Sequence, residues 1–346
     1  MAITRRAFGW LAMLGVALLS GQAAAQARWQ DGPAVKELYG KAKAEGSVTL
    51  WGTQLREVQW ISKAFAADFP GIEVRAVGDN NIATTAIAEA RGGRHQVDVF
   101  WHSLSGVAPL MERDLLAKVS WDEFGVLPAN TFADGRLGVT NTMVYAFMYN
   151  PKLADRALLP KTWTDVLDPR LKGKMVVSDF LIPRLTGSLA MSMGPDKAKD
   201  LARSLRDKMD VLLTRAPREP MLQSGERAYS LAELDQQVRL WMSEGLSVDY
   251  VVPEPVTASQ FVASVMAKAP RPHAARLLAG WLASDEGKAA REKAIFTADY
   301  RPGSKSPLAQ KLLTTGMTIH FDDLAQVAER NRYFKEMAEI VSGQTP

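Results

Sequence analysis

The 346-residue chain contains no cysteine, so disulfide bridges and cysteine-ligated zinc sites are excluded. Histidine is also scarce, and no pair has metal-ligand spacing among His95, His102, His273 and His320. A P-loop, a GxSxG nucleophile elbow and a dinucleotide-binding fingerprint are missing as well. The sequence therefore offers no motif for nucleotide hydrolysis, serine-based acyl transfer or hydride transfer. No cofactor and no metal are expected.

A strong charge excess and a long internal apolar segment are both missing too. The chain has 42 basic and 38 acidic residues, and the basic ones are dispersed rather than clustered in a stripe. Nucleic acid is therefore not expected as a partner. After the N-terminus, no segment is long and apolar enough to cross a membrane.

The N-terminal residues 1–27 have the features of an export signal. Arg5 and Arg6 precede a mostly apolar stretch from Ala7 to Leu19, and small residues allow cleavage after Ala25 or Ala27. The arginine pair resembles a twin-arginine signal, with the general secretory route as the alternative. Because no cysteine lies near the cleavage site, a lipid anchor is excluded and a Gram-negative periplasm is predicted. The remaining chain is long enough for two lobes with separate cores.

Three strands alternate with helices in the first part of the mature chain. The strands are predicted at Ser47–Trp51, Ile72–Ala76 and Val97–Trp101, and this order implies a parallel sheet with helices on its faces. Ligands of such sheets bind outside the carboxyl ends of the strands. Polar residues follow those ends at Thr53, Asn80, Asn81, Ser103 and Ser105. They are candidates for ligand contact, and helix capping is the equally plausible alternative.

A second informative stretch begins at Met143. The apolar run Met143–Met148 predicts a strand buried on both faces, which Pro151 ends. Thr162 is then expected to cap a short helix, with Asp165 as its capping-box partner. The segment from Phe132 to Thr142 before this strand is interpreted as the first crossing between lobes, and Asn141 within it is a further candidate ligand residue.

The order YN, a gap, then P-x-TW-x-D-x-LDP-x-LKGK up to residue 174 resembles bacterial extracytoplasmic solute-binding proteins that serve ABC transporters. The Ser-Gly-Glu turn at 224–226 and the segment 269–287 resemble the same family. The similarity is greatest to the branch that contains ferric-iron, thiamine, phosphonate and sugar-phosphate binders.

This resemblance implies an α/β, two-lobe periplasmic-binding-protein fold of type II. Each lobe is a mostly parallel sheet flanked by helices, with a hinge between the lobes. Residues 28–142 would form the first part of lobe one, 143–252 lobe two, and 253–346 the return to lobe one, with the alternative that the final helix packs on lobe two. The implied protein is a monomer that captures a small anionic or polyoxygenated solute and delivers it to an ABC permease.

A loop after the predicted strand at 175–177 is rich in binding chemistry. Arg184 offers a planar fork of donors that suits carboxylate or phosphate. Thr186, Gly187 and Ser188 are expected to start a helix with free N–H groups, and the resemblance implies that such a segment contacts ligand. The alternative for Arg184 is a solvated surface side chain.

Two further candidates have an undecided orientation. Tyr229 and Asp235 could face either the cleft or the core. In the iron binders of the resembling branch, adjacent tyrosines stand at the positions that are Asp235 and Gln236 here. Because this chain has no Tyr-Tyr pair, ferric-iron binding is disfavoured.

Two other function classes are open to the same sequence. A sensor would use the same lobes to present solute to a receptor kinase. A hydrolase or transferase would use His102 and Asp235. Since neighbours at a strand end point to opposite sides, His102 and Ser103 are not expected to hydrogen-bond as a nucleophile pair. The chain is accordingly interpreted as a binding protein and not as an enzyme.

Overall fold

The computed structural model describes residues 29–79 and 81–343. The predicted signal peptide, residues 1–27, and the candidate Asn80 lie outside these ranges. The described residues form eleven strands, which are β1 Ser47–Gly52, β2 Glu73–Gly78, β3 Val99–Ser103, β4 Thr131–Phe132, β5 Leu137–Tyr149, β6 Met175–Ser178, β7 Leu212–Thr214, β8 Tyr229–Leu234, β9 Asp249–Val251, β10 Val256–Val265 and β11 Ile319–Phe321.

The same residues form twelve α-helices, joined in places by short 3₁₀ turns. The helices are α1 Pro33–Glu45, α2 Leu55–Asp68, α3 Ile82–Arg91, α4 Leu104–Met111, α5 Leu181–Met193, α6 Pro195–Lys208, α7 Glu219–Ser224, α8 Asp235–Ser243, α9 Pro272–Ala283, α10 Asp285–Ile295, α11 Pro307–Leu313 and α12 Val327–Ser342.

The strands form a mixed sheet in the order β2-β1-β3-β10-β5-β8-β6-β7, with β11 beside β10 and with β4 and β9 beside β5. Strands β1, β2 and β3 are mutually parallel, as the alternation of strands and helices predicts. At the other end, β6 is parallel to both β7 and β8. We call the part built around β1–β3 the first lobe and the part built around β6–β8 the second lobe.

Strand β5 belongs to both lobes. Its residues 138–144 pair antiparallel with β10, and its residues 145–149 pair with β8 and β9. All of its side chains are buried, as expected for a strand with apolar residues on both faces. The strand predicted at 143–148 is therefore confirmed, but the predicted range is shorter than the observed strand. Most of the predicted crossing segment 132–142 is also strand, because β10 pairs with β5 from Gly138 onward and β4 pairs with Leu137.

Separate hydrophobic cores lie on the two sides of this shared strand. In the first lobe, Val58, Ile61 and Phe65 form an apolar stripe on α2 and pack beneath β1 and β3. In the second lobe, α5 and α6 pack on β6 and β8. The final helix α12 joins this second core through Tyr333, Met337 and Val341. A C-terminal segment thus covers the second lobe although its preceding strand, β11, pairs in the first.

The short helix expected after Thr162 is only a 3₁₀ turn, Asp165–Leu167. Its cap is nevertheless formed, because the Asp165 carboxylate accepts the N–H groups of Thr162, at 2.8 Å, and Lys161, at 2.9 Å. These bonds lower the pKa of Asp165. Pro169, three residues after Val166, prevents the turn from growing into an α-helix.

Candidate functional site

The carboxyl ends of the parallel strands in both lobes meet near a seam, the point on β5 where pairing with β10 gives way to pairing with β8. The end of β3 lies at the seam because Ser103 pairs with Phe261 of β10. The end of β8 lies there because Leu234 pairs with Tyr145 of β5. Strand β6 runs parallel to β8 and ends at the same edge. The loops after β1, β2 and β3 therefore face those after β6 and β8 across a cleft, as ligand-binding α/β sheets require.

On one edge of this cleft the lobes touch. Glu57 on α2 accepts a hydrogen bond from the side-chain amide of Gln236 on α8, at 2.9 Å. An ion pair of 3.0 Å joins Arg56 of the same helix to Glu244. Thr297 holds the other end of the Gln236 side chain. Burial raises the pKa of Glu57, and the positive charge of Arg291 acts against that rise. Polar contacts thus connect α2 and α8 directly.

Arg184 is on the first turn of α5, facing the other side of the seam. One guanidinium nitrogen donates to the Phe180 carbonyl oxygen at 2.9 Å, and the group lies 3.4 Å from the Phe180 ring centre. Among the residues that the structure describes, no carboxylate lies within 4.0 Å of it. Burial lowers its pKa, with a further contribution from Arg330. This guanidinium is therefore a partly desolvated cation without an acidic partner.

A cavity of about 590 Å³ opens beside Arg184. It holds three cationic side chains, from β6–α5, from the loop after β7 and from α12, together with two phenyl rings. Arg215 is 2.7 Å from the carboxylate of Asp179, so that pair is neutral overall. The lining residues are Ser178, Asp179, Phe180, Pro183, Arg184, Arg215, Phe334, Lys335 and Ala338. The net charge of this wall favours an anionic occupant.

His102 lies at the end of β3 within the electrostatic reach of Arg184. Burial, and then the positive charge of Arg184, lower its pKa from 6.5 to about 4. Its Nδ1 accepts the N–H of Ser103 at 2.8 Å and lies 3.1 Å from the Ser103 hydroxyl. The prediction that these neighbours would not hydrogen-bond is therefore wrong. At the strand end, the imidazole folds back over its own backbone, into space that Gly106 leaves free: a Cβ there would lie 1.9 Å from the ring.

The predicted helix start at Thr186 is also wrong, because α5 begins at Leu181. Pro183 allows this earlier start, since the first turn of a helix needs no N–H from that position. The Thr186 hydroxyl is buried and donates to the Ile182 carbonyl, at 2.8 Å. Gly187 packs under the Phe334 ring, where a Cβ would come within 2.4 Å. Neither residue faces the cleft with free donors.

Ser188 of α5 lies beside the Tyr145 side chain of the shared strand. Arg330 of α12 approaches the same region and donates to the Ser105 hydroxyl at 2.7 Å. Arg330 also pairs with the buried carboxylate of Asp322. Ser188 is one helical turn from Arg184 and is 8% exposed, and the Ser105 hydroxyl is already committed to Arg330.

Burial shows whether Tyr229 and Asp235 face the core or the cleft. Tyr229 is 1% exposed, and its hydroxyl accepts the Asp155 N–H at 2.9 Å. Asp235 is 0% exposed, and its carboxylate accepts from the backbone of Val144 and from the side chains of Arg239 and Tyr300. Both side chains are committed to structure, and Asp235 could not orient His102 in a catalytic relay.

The other candidates have diverse surroundings. Thr53 follows β1 at the cleft rim and is half-buried. Asn81 is exposed at the start of α3, but its side chain makes no capping bond. Asn141 is 1% exposed within β5; its amide oxygen accepts from Thr140, and its amide nitrogen has no hydrogen-bond partner. Of the predicted residues, Arg184 lines a cavity, and Thr53 and Ser103 are half-buried at the ends of β1 and β3.

Several residues of the cleft were missed by sequence reasoning. Phe180 lies next to Arg184 in the segment that the sequence already marks as a candidate site. Its exposure could have been predicted from the polar residues around it. Glu57 and Gln236 lie on separate lobes, and Phe334 and Lys335 on the C-terminal helix. No sequence signal links those four positions to the cleft, because only the folded chain brings them there.

A two-lobed α/β architecture with a cleft between strand ends defines the periplasmic-binding-protein class. Residues 107–317, more than half of the chain, match the model of the bacterial extracellular solute-binding proteins. The chain belongs to this family. Its members are binding proteins rather than enzymes, and the family description places them outside the cytoplasm.

Solved structures share the fold at low sequence identity. Iron-bound HitA from Pseudomonas aeruginosa is 20% identical, with a TM-score of 0.69 over 84% of this chain and 99% of that one. A substrate-binding protein of an ABC transporter from Agrobacterium tumefaciens is 15% identical, with a TM-score of 0.70 over 85% of this chain and 94% of that one. The periplasmic binding protein P5PA is 18% identical, with a TM-score of 0.67 over 86% and 99%. No curated relative matches the chain.

Two observations concern membranes and metals. Of the described helices, none combines the length and apolarity that a bilayer crossing needs. Across 29–79 and 81–343, no three histidine, aspartate or glutamate side chains are grouped closely enough to hold a metal ion.

Proposed function

We propose that the protein captures a small organic anion in the cleft, with Arg184 as its principal charge partner, and delivers it from the periplasm to an ABC permease. The observation that carries this proposal is the guanidinium of Arg184, which lines a cavity of about 590 Å³ and has no acidic partner among the residues of 29–79 and 81–343. A partly buried cation without a counter-ion is costly, and an anionic ligand would supply the missing charge. The solute-binding family and its neighbours support the transport role.

The first lobe would contribute Thr53 and Ser103 at the opposite rim. Closure requires that the ligand contact both lobes, because only a difference in affinity between open and closed forms shifts their balance. We propose the hinges near 140–143 and 252–256, with lobe boundaries as predicted from the sequence at 142/143 and 252/253. Strand β5 passes between the lobes just after the first of these segments.

Iron is the ligand named for HitA, and it is the principal competing cargo. At the two positions implied by the resemblance, Asp235 is buried in an ion pair and Gln236 bridges to Glu57. Neither side chain is available as a hard anionic metal ligand. These arrangements favour an organic anion over iron.

The test combines native mass spectrometry of the purified protein with calorimetry. Arg184→Ala should release a co-purified anion and weaken its rebinding on the order of 2–5 kcal/mol if the pair is buried on closure. Arg203→Ala, which removes an exposed arginine from the same lobe, is the matched control. Unchanged affinity with a lowered melting temperature would assign Arg184 a structural role and refute the proposal. Recovery of bound iron instead of an organic anion would also refute it.

A further inference from the structure

The cavity beside Arg184 has an apolar component that a simple anion does not require. Phe180 lines it and is 55% exposed, which makes it one of the most exposed large apolar side chains in the described ranges. It stands between the end of β6 and the start of α5. An exposed phenyl group at a cleft wall is a common sign of a binding surface.

Arg184 holds this ring in place. The guanidinium stacks on the ring at 3.4 Å while it donates to the Phe180 backbone carbonyl at 2.9 Å. Both side chains are fixed by each other, so neither has to be ordered when a solute binds. Although Arg184 covers part of the ring, more than half of the residue remains accessible. The ring and the charge are therefore presented together, next to one another.

A second ring lines the same cavity from α12. Phe334 packs against α5 at Gly187, where no side chain obstructs it. The guanidinium carbons of Arg184 and Arg330 lie 5.9 Å and 5.1 Å from its ring centre. The cavity thus combines two phenyl rings, each held by an arginine, with the unpaired charge of Arg184.

We infer that the occupant is an aromatic anion, that is, a flat ring bearing a carboxylate, phosphate or phosphonate group. This inference rests on the proposed function and narrows its solute class. The anionic group would meet Arg184 while the ring packs on Phe180 and Phe334, since aromatic rings attract each other in offset or edge-to-face geometry. The cavity volume lies within the range of small-molecule sites.

The experiment compares matched probes that differ only in the ring. Binding of phenylphosphonate against methylphosphonate, and of benzoate against acetate, is measured by calorimetry on the mature protein after removal of co-purified solute. The phenyl member of each pair should bind about tenfold more tightly or better. Phe180→Ala should abolish most of that preference. Because it also removes the ring on which Arg184 stacks, the readout is the ratio of the two affinities, which cancels any weakening common to both members of a pair. Phe180→Trp, which keeps an aromatic face, should retain the preference.

Leu153→Ala is the control, because Leu153 is 51% exposed on the second lobe and does not line the cavity. Phenyl probes that bind no better than their methyl partners, including the case in which neither binds, overturn the inference. A phenyl preference that survives Phe180→Ala in a folded variant also overturns it. Anion binding by Arg184 would stand in those cases if the co-purified solute still required Arg184, so the two failures are distinguishable.

Discussion

The titration of His102 offers a quantitative test of the cleft electrostatics. Burial is the main reason why its pKa lies near 4 instead of 6.5, and the positive charge of Arg184 is the second. Arg184→Met keeps most of the side-chain volume and removes the charge. We therefore expect the pKa of His102 to rise in this variant, but by less than half of the gap, because the burial remains.

The difference between the pKa of His102 in the folded chain and in the unfolded chain makes the stability depend on pH. Between pH 6.5 and about 4 the unfolded chain binds a proton at His102 that the folded chain does not bind. The free energy of unfolding should therefore fall as the pH drops through this window, by at most about 3.4 kcal/mol from this group. In Arg184→Met the two pKa values of His102 lie closer together. The pH window is therefore narrower, and the loss of unfolding free energy is smaller. A bound anion beside Arg184 should act in the same direction as the substitution, so its affinity should increase as the pH falls.

The assay is NMR titration of the imidazole Cε1–H signals, with His102→Gln used to assign the one that belongs to His102. Denaturant unfolding at several pH values gives the stability of each variant. A His102 pKa that is unchanged in Arg184→Met would show that the two groups do not interact in solution. A pKa near 6.5 in the unsubstituted protein would refute the burial of the imidazole and the arrangement of this part of the cleft.

Two further predictions concern stability. Gly187→Ala places a methyl group within 2.4 Å of the Phe334 ring and should lower the free energy of unfolding by about 1–3 kcal/mol in a urea titration. Gly40→Ala, in open space within α1, should instead leave it unchanged or raise it by about 0.5–1 kcal/mol; equal effects of the two changes would contradict the packing. Asp235→Asn leaves the buried guanidinium of Arg239 without its counter-charge and should cost about 3–5 kcal/mol, measured by the same titration. A loss below 1 kcal/mol would mean that this pair is solvated.

Local patterns were sufficient for most of the fold. The stripe of Val58, Ile61 and Phe65 predicted α2 because its spacing is set by the helix itself. The apolar run at 143–148 predicted a doubly buried strand for the same local reason. The extension of β5 back to Leu137 was not predictable in this way. Residues 137–142 include polar side chains, and they are strand because β10, more than a hundred residues later, pairs from Gly138 onward and β4 pairs with Leu137.

The site was predictable only where chemistry and position coincide in one loop. Arg184 follows a strand end, and a charged side chain is rarely needed to build a core. The sequence therefore identified it as a candidate site residue. Tyr229 and Asp235 have equally suggestive side chains, yet both are buried by partners remote in sequence, such as Tyr300 for Asp235. A polar residue at a strand end can satisfy the core or the ligand. The choice depends on which donors the tertiary structure brings to it.

Contacts that already join the two lobes limit how far a ligand can shift the balance between open and closed forms. Glu57 to Gln236 and Arg56 to Glu244 join α2 to α8 without any solute. The Arg56–Glu244 pair is exposed and contributes little, whereas the contact between Glu57 and Gln236 is largely buried. Together they favour approach of the lobes on that edge. A solute can shift the balance only through contacts that differ between the open and closed forms. Arg184 faces the opposite side of the seam. The free energy of closure would therefore depend on how much more tightly the anion binds beside Arg184 in the closed form than in the open form.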